Sequence, residues 1–223
     1  MTSAPSSPVP LARVPAASGT GPIPEPRVEG EASRGSGHHP RITGLDLSLT
    51  STGFARICGG DTALARLRTL KRDGHGRLEF LLAEIACRVR DADLVVVEGP
   101  SYGSQAGQKG HHERAGLWWL VTHMLWRQGL PYAVVPPAVV KKYATGAGGG
   151  LKAGKDQVLA AVIRRYPDVP VDGNDQADAL VLAAMGADHL GCPLATVPKE
   201  HRAALASVIW PAITELPPLD GAA

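Results

Sequence analysis

Four carboxylates occupy positions in the sequence where a purely structural role is unfavourable. Asp46 ends the first predicted strand and is followed by a turn of small polar residues, and Glu98 ends a continuous apolar run that is typical of a buried strand. Asp175 and Asp178 lie three residues apart at the start of a predicted helix, a spacing that puts both on one helix face. If that helix packs across the two strands, all four side chains meet at one end of a sheet.

Each of these acids has a structural alternative when it is considered alone. Asp175 could stabilise the positive end of its helix, and Glu98 could be a solvated strand end. Asp46 could bond to its own turn through Ser48 or Thr50. Considered together, three or four carboxylates within about 5 Å repel one another strongly unless a cation neutralises them. Oxygen ligands select a hard cation, Mg²⁺ or Mn²⁺, and two such ions about 4 Å apart promote phosphodiester hydrolysis.

The elements that must position these acids are predicted from hydrophobic periodicity. The predicted strands are 41–46, 53–58, 62–70, 93–98 and 132–135, and a tight turn at Gly59-Gly60-Asp61 makes the first three an antiparallel meander. The predicted helices are 76–90, 112–127, one from Pro137, 155–166 and one from Asn174, the last capped by Asp172 or Asn174. Antiparallel strands followed by crossovers indicate an α/β fold, a mixed five-stranded sheet flanked by helices.

The composition changes at both ends of the chain. Residues 1–40 are rich in Pro, Ser, Ala and Gly and cannot bury enough apolar surface to offset their ordering entropy. They are predicted to be a disordered tail, an arm for an unidentified partner. The folded domain is predicted at 41–191, and 192–223 form a C-terminal extension with a peripheral helix over 198–215, bounded by its prolines.

Bulk properties exclude several classes of protein. The net charge of +2 is too small to indicate a nucleic-acid partner by itself, so any basic surface must be local. The three cysteines show no metal-site spacing and are too few for a disulfide framework, which suits buried thiols in a reducing cytoplasm. No apolar run approaches the ~20 residues of a membrane span, and the N-terminus lacks the apolar core of a secretory signal. A cytoplasmic protein with no membrane association is therefore expected.

Four segments, in order, resemble the RuvC family of Holliday-junction resolvases. They read GLDLSLTSTGFA, VVVEGPSYG, PPAVVKKYATGAGGGLKAGKDQV and DGNDQADALVLAAM, and the similarity runs over 41–191. The resemblance implies the RNase H-like fold of that family. The family usually has Pro-Gly after its first acid, where this chain has Leu47 and Ser48. This divergence suggests a phage or prophage branch.

The resemblance implies roles for individual residues. Asp46 matches the first metal ligand of the family and Glu98 the second, while Asp175 and Asp178 match its closing pair. The four acids would hold two Mg²⁺ ions, with Mn²⁺ as the alternative, and the products would be paired symmetric nicks with 5′-phosphates. An aromatic residue near the second acid inserts at the crossover in known resolvases, and Tyr102 is the aromatic residue nearby.

Local basic clusters support a phosphate partner. The stretch 141–165 contains six basic residues and one acid, and the resemblance maps Lys141 or Lys142, and Lys155, onto lysines that contact DNA or lie near the reaction. Glycines beside Lys152 and Lys155 allow close approach of phosphates. A second cluster just after Glu98 contains Lys109, His111, His112 and Arg114. His111 is not needed as a metal ligand because the four acids suffice, and a solvated polar surface is the structural alternative for both clusters.

The helix predicted at 112–127 is apolar on nearly all sides, with three tryptophans at 118, 119 and 126, which indicates a second buried face besides core packing. Resolvases of the resembled family are two-fold dimers, and two symmetric nicks need two active sites. The sequence therefore predicts a homodimer through this helix, bound to branched DNA.

Three other functions remain open at this stage. The same acids serve RNase H-like nucleases that act on flaps, forks or RNA. Actin-like phosphotransferases also open with a strand, an Asp and a Thr/Gly turn, but they normally repeat the fold, and this sequence shows no second copy. A catalytically inactive DNA-binding dimer is the third, although an intact set of four acids disfavours it.

Overall fold

The computed structural model describes residues 39–100, 110–146 and 155–213, without the side chain of Lys155. Within them the strands are β1 (Ile42–Asp46), β2 (Ser51–Cys58), β3 (Asp61–Arg68), β4 (Leu94–Glu98) and β5 (Tyr132–Val135). The helices are α1 (Gly74–Val89), α2 (His111–Arg127), α3 (Pro137–Thr145), α4 (Lys155–Arg165), α5 (Asn174–His189) and α6 (Lys199–Arg202), followed by a 3₁₀-helix at Ala203–Ser207. The predicted tail 1–40, apart from His39 and Pro40, and most of the glycine-rich loop lie outside the described residues.

The strands form a mixed sheet in the order β3-β2-β1-β4-β5. The first three strands are the predicted antiparallel meander, in which Asp46 is paired with Gly53 and Ser51 with Arg68. Strands β4 and β5 add in parallel beyond β1. The predicted fold class is confirmed, and so is the adjacency of the two strands that carry Asp46 and Glu98. Strand β2 begins two residues earlier than predicted, because Ser51 and Thr52 also pair with β3.

Side chains alternate between the two faces of the sheet and build a core on each face. One core joins the sheet to α1 and α2, and its strand residues include Leu45, Leu67, Val95 and Val97. The other core joins the sheet to α3, α4 and α5, and its strand residues include Ile42, Ala55, Ile57, Leu94 and Val96. The architecture is therefore a sheet between two helical layers.

Two glycines allow α5 to lie directly on the sheet. A Cβ added to Gly44 of β1 would come within 2.1 Å of the Ala179 carbonyl oxygen, and one added to Gly53 of β2 would come within 1.9 Å of the Asp175 carbonyl oxygen. Any larger residue at either position would push the helix away from the strands. Because eleven residues of α5 are buried, this close approach creates the largest part of the core on that face.

The beginning of α5 differs from the prediction of a side-chain cap by Asp172 or Asn174. Its N-cap is Gly173, and no side chain caps it. Asp172 instead forms an ion pair with Arg66 of β3, while its backbone N–H donates to Oε1 of Gln176 at 2.7 Å. The acidic side chain is therefore used to attach the helix start to the edge strand, which local sequence reasoning could not detect.

The C-terminal segment was predicted as one peripheral helix over 198–215. In the structure helix α6 covers only Lys199–Arg202, the 3₁₀-helix follows, and residue Val208 is extended. The reason is tertiary packing: the chain turns so that Val208 joins the core and the Trp210 ring stacks on His189, with centroids 4.2 Å apart. Residues 214 and 215 lie outside the described part.

Candidate active site

Asp46 and Glu98 end adjacent strands and point to the same face of the sheet. Strand alternation places Asp46 on the face of Ile42 and Gly44, and Glu98 on the face of Leu94 and Val96. The parallel register pairs Leu45 with Val97, so the next residue on each strand is one of the two acids. Adjacent strands are about 4.8 Å apart, which makes these carboxylates neighbours at the carboxyl end of the sheet.

Helix α5 brings a third acid to the same place. Its first turn lies over Gly53, the β2 residue paired with Asp46. The Ser51 hydroxyl donates a hydrogen bond of 2.5 Å to Oδ2 of Asp175 and fixes the direction of that carboxylate. The close packing of Gly53 against the backbone of α5 therefore keeps Asp46 and Asp175 near each other.

A cavity of about 300 Å³ opens at this end of the sheet. Asp46, Glu98 and Asp175 all line it, together with Ser48 and residues from the start of α2 and α3. Asp178 lies one turn further along α5, is half-buried, and is not among the residues that line the cavity. The structure therefore brings three of the four predicted acids to one cavity, with the fourth beside it on the same helix.

Helix α2 supplies the other wall of the cavity. Arg114 and His111 line it next to the acids, and one guanidinium nitrogen of Arg114, Nη2, is buried without a hydrogen-bond partner in the described part of the chain. Trp118 donates its indole N–H to the Glu98 carbonyl at 3.1 Å. This contact ties the end of β4 to α2 and holds the backbone that carries the second acid.

The donor chemistry of the cavity fits a hard divalent cation, because carboxylate oxygens are the ligands that Mg²⁺ and Mn²⁺ prefer. The side chains are not yet arranged as a metal site. Within 39–100, 110–146 and 155–213, no three His, Cys, Asp or Glu side chains form a ready-made metal-binding group. Binding of an ion by Asp46, Glu98 and Asp175 therefore requires these carboxylates to converge further.

The predicted DNA-binding residues fall into two groups. Arg114 lines the cavity, whereas Lys141 and Lys142 lie on α3, exposed and half-buried respectively, outside its lining. The other predicted DNA-binding residues lie outside the described part of the chain: Tyr102, Lys109, Lys152 and the side chain of Lys155.

Sequence reasoning missed the residues that position the acids. Ser51, Gly53 and Trp118 were not singled out as parts of the site, and His111 was set aside as a ligand although it lines the cavity. Ser51 carried a usable signal, since a hydroxyl and a glycine flank Thr52 next to the acid-bearing turn. The contact between Trp118 and β4 depends on helix packing and has no local signature.

No family model matches the sequence, and no curated protein matches it in sequence. Solved structures do match the fold. Thermus thermophilus RuvC in complex with Holliday junction substrate is 19% identical, with a TM-score of 0.51, over 72% of this chain and 100% of that chain. A second Thermus thermophilus RuvC structure is 20% identical, with a TM-score of 0.51, over 71% of this chain and 99% of that chain.

The chain has the RNase H-like fold of RuvC, as the four sequence segments predicted. The alignment covers RuvC over its whole length, while part of this chain extends beyond it. Assignment to a phage branch stays a prediction. In the described part of the chain, no helix is long and apolar enough to cross a membrane.

Proposed function

We propose that this chain is a divalent-metal-dependent endonuclease that resolves four-way DNA junctions. It would introduce paired, symmetric nicks and leave 5′-phosphate ends that can be ligated. The observation that carries the proposal is the meeting of three acids from β1, β4 and α5 at one cavity, in a chain with the fold of RuvC. A RuvC structure with this fold was solved with a Holliday junction substrate, which supports branched DNA as the substrate.

Asp46, Glu98, Asp175 and Asp178 would hold the metal ions. When bound, such ions lower the pKa of the attacking water and offset charge on the leaving 3′ oxygen. Asp46 lies centrally in this set, since it neighbours both Glu98 and the start of α5. Ser51 orients Asp175 through its 2.5 Å hydrogen bond, so its role is to position a ligand.

Arg114 would bind the phosphate that is cut. Its Nη2 atom is buried and lacks a partner among the described residues, a costly state that a phosphate oxygen would relieve through a charge-assisted hydrogen bond. Lys141 and Lys142, exposed or half-buried on α3, would contact phosphates further along the DNA. Tyr102, Lys109, Lys152 and Lys155 remain proposed contacts on the basis of the sequence.

The outer face of α2 supports a homodimer. Trp119 and Trp126 are both 68% exposed and Leu120 is 41% exposed, whereas Leu117, Val121 and Leu125 of the same helix are buried in the core. Exposed aromatic side chains on one helix face are typical of an interface. A two-fold pairing of this face would give the two active sites that paired nicks require.

The direct test uses labelled synthetic substrates with Mg²⁺: a four-way junction, a flap, a fork and a linear duplex of the same length. The proposal predicts rapid paired nicks in the junction, at symmetric positions, and products that DNA ligase rejoins. Equal rates on flaps would retain the nuclease and reject junction selectivity. Products with 3′-phosphates would contradict the proposed chemistry.

A further inference from the structure

Leu70 combines two unfavourable features. Its φ of +49° makes it the sole non-glycine residue with positive φ in the described part of the chain, and an L-residue with a side chain of this size rarely adopts that conformation. Its side chain is also 80% exposed, so core packing does not compensate for the strain. An outlier of this kind is a reason to look for a function.

The backbone around Leu70 forms a hydrogen-bonded tight turn. The Arg72 N–H donates to the Thr69 carbonyl at 3.0 Å, which puts Leu70 at the first central position, where a positive φ favours Gly, Asn or Asp. Buried Thr69 anchors the turn: its N–H donates to the Thr50 carbonyl at 3.2 Å and its hydroxyl donates to the Leu49 carbonyl at 2.9 Å. The turn is therefore held in place while it presents a leucine to solvent.

The turn stands at the same end of the sheet as the candidate active site. Strand β3 ends at Arg68, which is paired with Ser51, and Ser51 donates to Asp175 of the cavity. Asp46 and β3 are separated by two inter-strand spacings of about 4.8 Å, and a strand rises about 3.4 Å per residue. Leu70 is therefore on the order of 15–20 Å from Asp46, a distance that a few nucleotides span.

Three cations lie within two residues of this leucine in the sequence. Residues 68–73 read RTLKRD, with three cations and one acid, and Arg68, Lys71 and Arg72 are all exposed. Within the described residues, Arg68 and Lys71 take part in no ion pair. Arg72 lies over the Phe80 ring at 4.1 Å. Unpaired cations attract phosphates, and a bare leucine among them suits a surface that inserts between bases rather than one that packs on a protein.

We infer that the turn at 69–72 is a second DNA contact, in which Leu70 inserts as an apolar wedge at the branch point and the adjacent cations bind the flanking phosphates. This inference rests on the proposed junction-resolving function. Leucine is among the side chains that proteins insert between base steps, where they unstack the bases and bend the DNA. At an open branch point the bases are already partly unstacked, so insertion of a side chain there costs the least unstacking free energy.

The test compares the full chain with Leu70→Asn and Leu70→Met in EDTA, where DNA is bound and not cut. Asparagine tolerates the left-handed conformation and removes the apolar side chain, whereas methionine keeps it. The probes are a four-way junction with 2-aminopurine at the branch point and a linear duplex of equal length. Ile209→Asn is the control, since Ile209 is 91% exposed and lies in the C-terminal segment.

The expected result is that Leu70→Asn weakens junction binding about tenfold, consistent with the loss of an inserted wedge, and abolishes the rise in 2-aminopurine fluorescence. Duplex binding stays unchanged, and the Tm stays equal or rises because strain is relieved. Leu70→Met and Ile209→Asn behave as the unaltered chain does.

Three results would overturn the wedge. Leu70→Asn could bind the junction as tightly as the unaltered chain, both Leu70 variants could lose binding equally, or Leu70→Asn could lower the Tm. In each case cleavage of the junction by the unaltered chain would leave the proposed function standing. An unaltered chain that neither prefers nor cuts the junction would reject the proposed function and the wedge together.

Discussion

At the scale of single residues, the cavity joins three carboxylates to one guanidinium group, and these have opposite preferences for a ligand. The acids suit cations, and Arg114, with a buried nitrogen that has no partner among the described residues, suits an anion. A phosphodiester bound with divalent ions satisfies both. The lysines of α3 lie outside the cavity lining, so their contribution should be to affinity rather than to the chemical step.

This division predicts different defects for Arg114→Ala and Lys141→Ala. Loss of a charged donor at the reacting phosphate should lower the single-turnover rate about 100-fold. Loss of a peripheral phosphate contact should weaken binding of all DNA sequences alike and reduce the slope of log K against log salt by about one. Single-turnover cleavage and salt-dependent binding measure both. Cleavage by Arg114→Ala at the unaltered rate would exclude contact with the reacting phosphate.

At the scale of elements, the site depends on how closely α5 lies on the sheet. Gly53 is the β2 residue opposite Asp46, and the Asp175 backbone occupies the space that its side chain would need. Stability and the proposed catalysis would therefore depend on the same contact.

Gly53→Ala should lower the free energy of unfolding by about 3 kcal/mol, as overpacking in a core does, and should also slow cleavage because Asp175 moves away from Asp46. Denaturant unfolding and cleavage of the folded variant measure the two effects. The matched control is Gly76→Ala in α1, where an added Cβ meets nothing within 4 Å; this change should be neutral or stabilising. Equal stabilities of the two variants would contradict the packing account.

The C-terminal segment is a second element that the core depends on. Asp188 of α5 has a side chain with no exposed surface and pairs with Arg202 of α6, with 2.6 Å between Oδ1 and Nη2. It also accepts a hydrogen bond of 3.1 Å from the Tyr143 hydroxyl, and burial raises the pKa of Tyr143, which keeps that hydroxyl a neutral donor. Arg202 thus neutralises a buried carboxylate and joins α6 to α5.

Arg202→Ala should lower the free energy of unfolding by about 2 kcal/mol, below the usual cost of breaking a buried pair, because Arg202 is half-exposed and water can partly replace it. Arg88→Ala, which breaks the surface pair with Glu84, is the control and should cost under about 0.5 kcal/mol. Denaturant titration distinguishes the two, and equal losses would mean that the segment around Arg202 contributes little to the fold.

The sequence predicted the elements better than their contacts. Alternating patterns, continuous apolar runs and helical spacing predicted all five described strands and α1 to α5, because the burial of each element is recorded in its apolar residues. The cap at Gly173 was missed because Asp172 forms an ion pair with Arg66 instead of capping the helix. The short α6 was missed because Trp210 stacks on His189, a contact that ends the helix early. The three acids that line the cavity had been predicted from their positions at strand and helix ends. The turn at Leu70 was not, because the backbone conformation of a leucine leaves no trace in composition.

At the scale of the whole molecule, the proposed homodimer depends on the exposed tryptophans of α2. The double variant Trp119→Ser/Trp126→Ser should be monomeric at micromolar concentration. The variant monomer should still unfold at a Tm near that of the unaltered chain, because both side chains are largely exposed. Sedimentation equilibrium measures the mass. Ile163→Ser on α4, where Ile163 is 50% exposed, is the control and should remain a dimer. A monomeric unaltered chain would reject the proposed interface.

The loss of dimerisation should also change the products. A monomer would hold one active site, so the double tryptophan variant should release singly nicked junctions, whereas the proposed dimer should make paired nicks before it dissociates. A supercoiled plasmid with an extruded cruciform separates the outcomes, since one nick gives an open circle and two give a linear molecule. Equal amounts of linear product from both proteins would contradict the need for a dimer.

The central claim is that Asp46 and Glu98, at the ends of β1 and β4, belong to a metal-dependent active site. The most direct measurement is the single-turnover rate of junction cleavage in Mg²⁺ by the unaltered chain, Asp46→Asn and Glu98→Gln, with junction affinity measured in parallel. The account predicts that each substitution slows cleavage at least ~1,000-fold, about 4 kcal/mol of transition-state stabilisation, while the junction remains bound. Cleavage by Asp46→Asn at a rate near that of the unaltered chain would show that this end of the sheet is not where the reaction occurs.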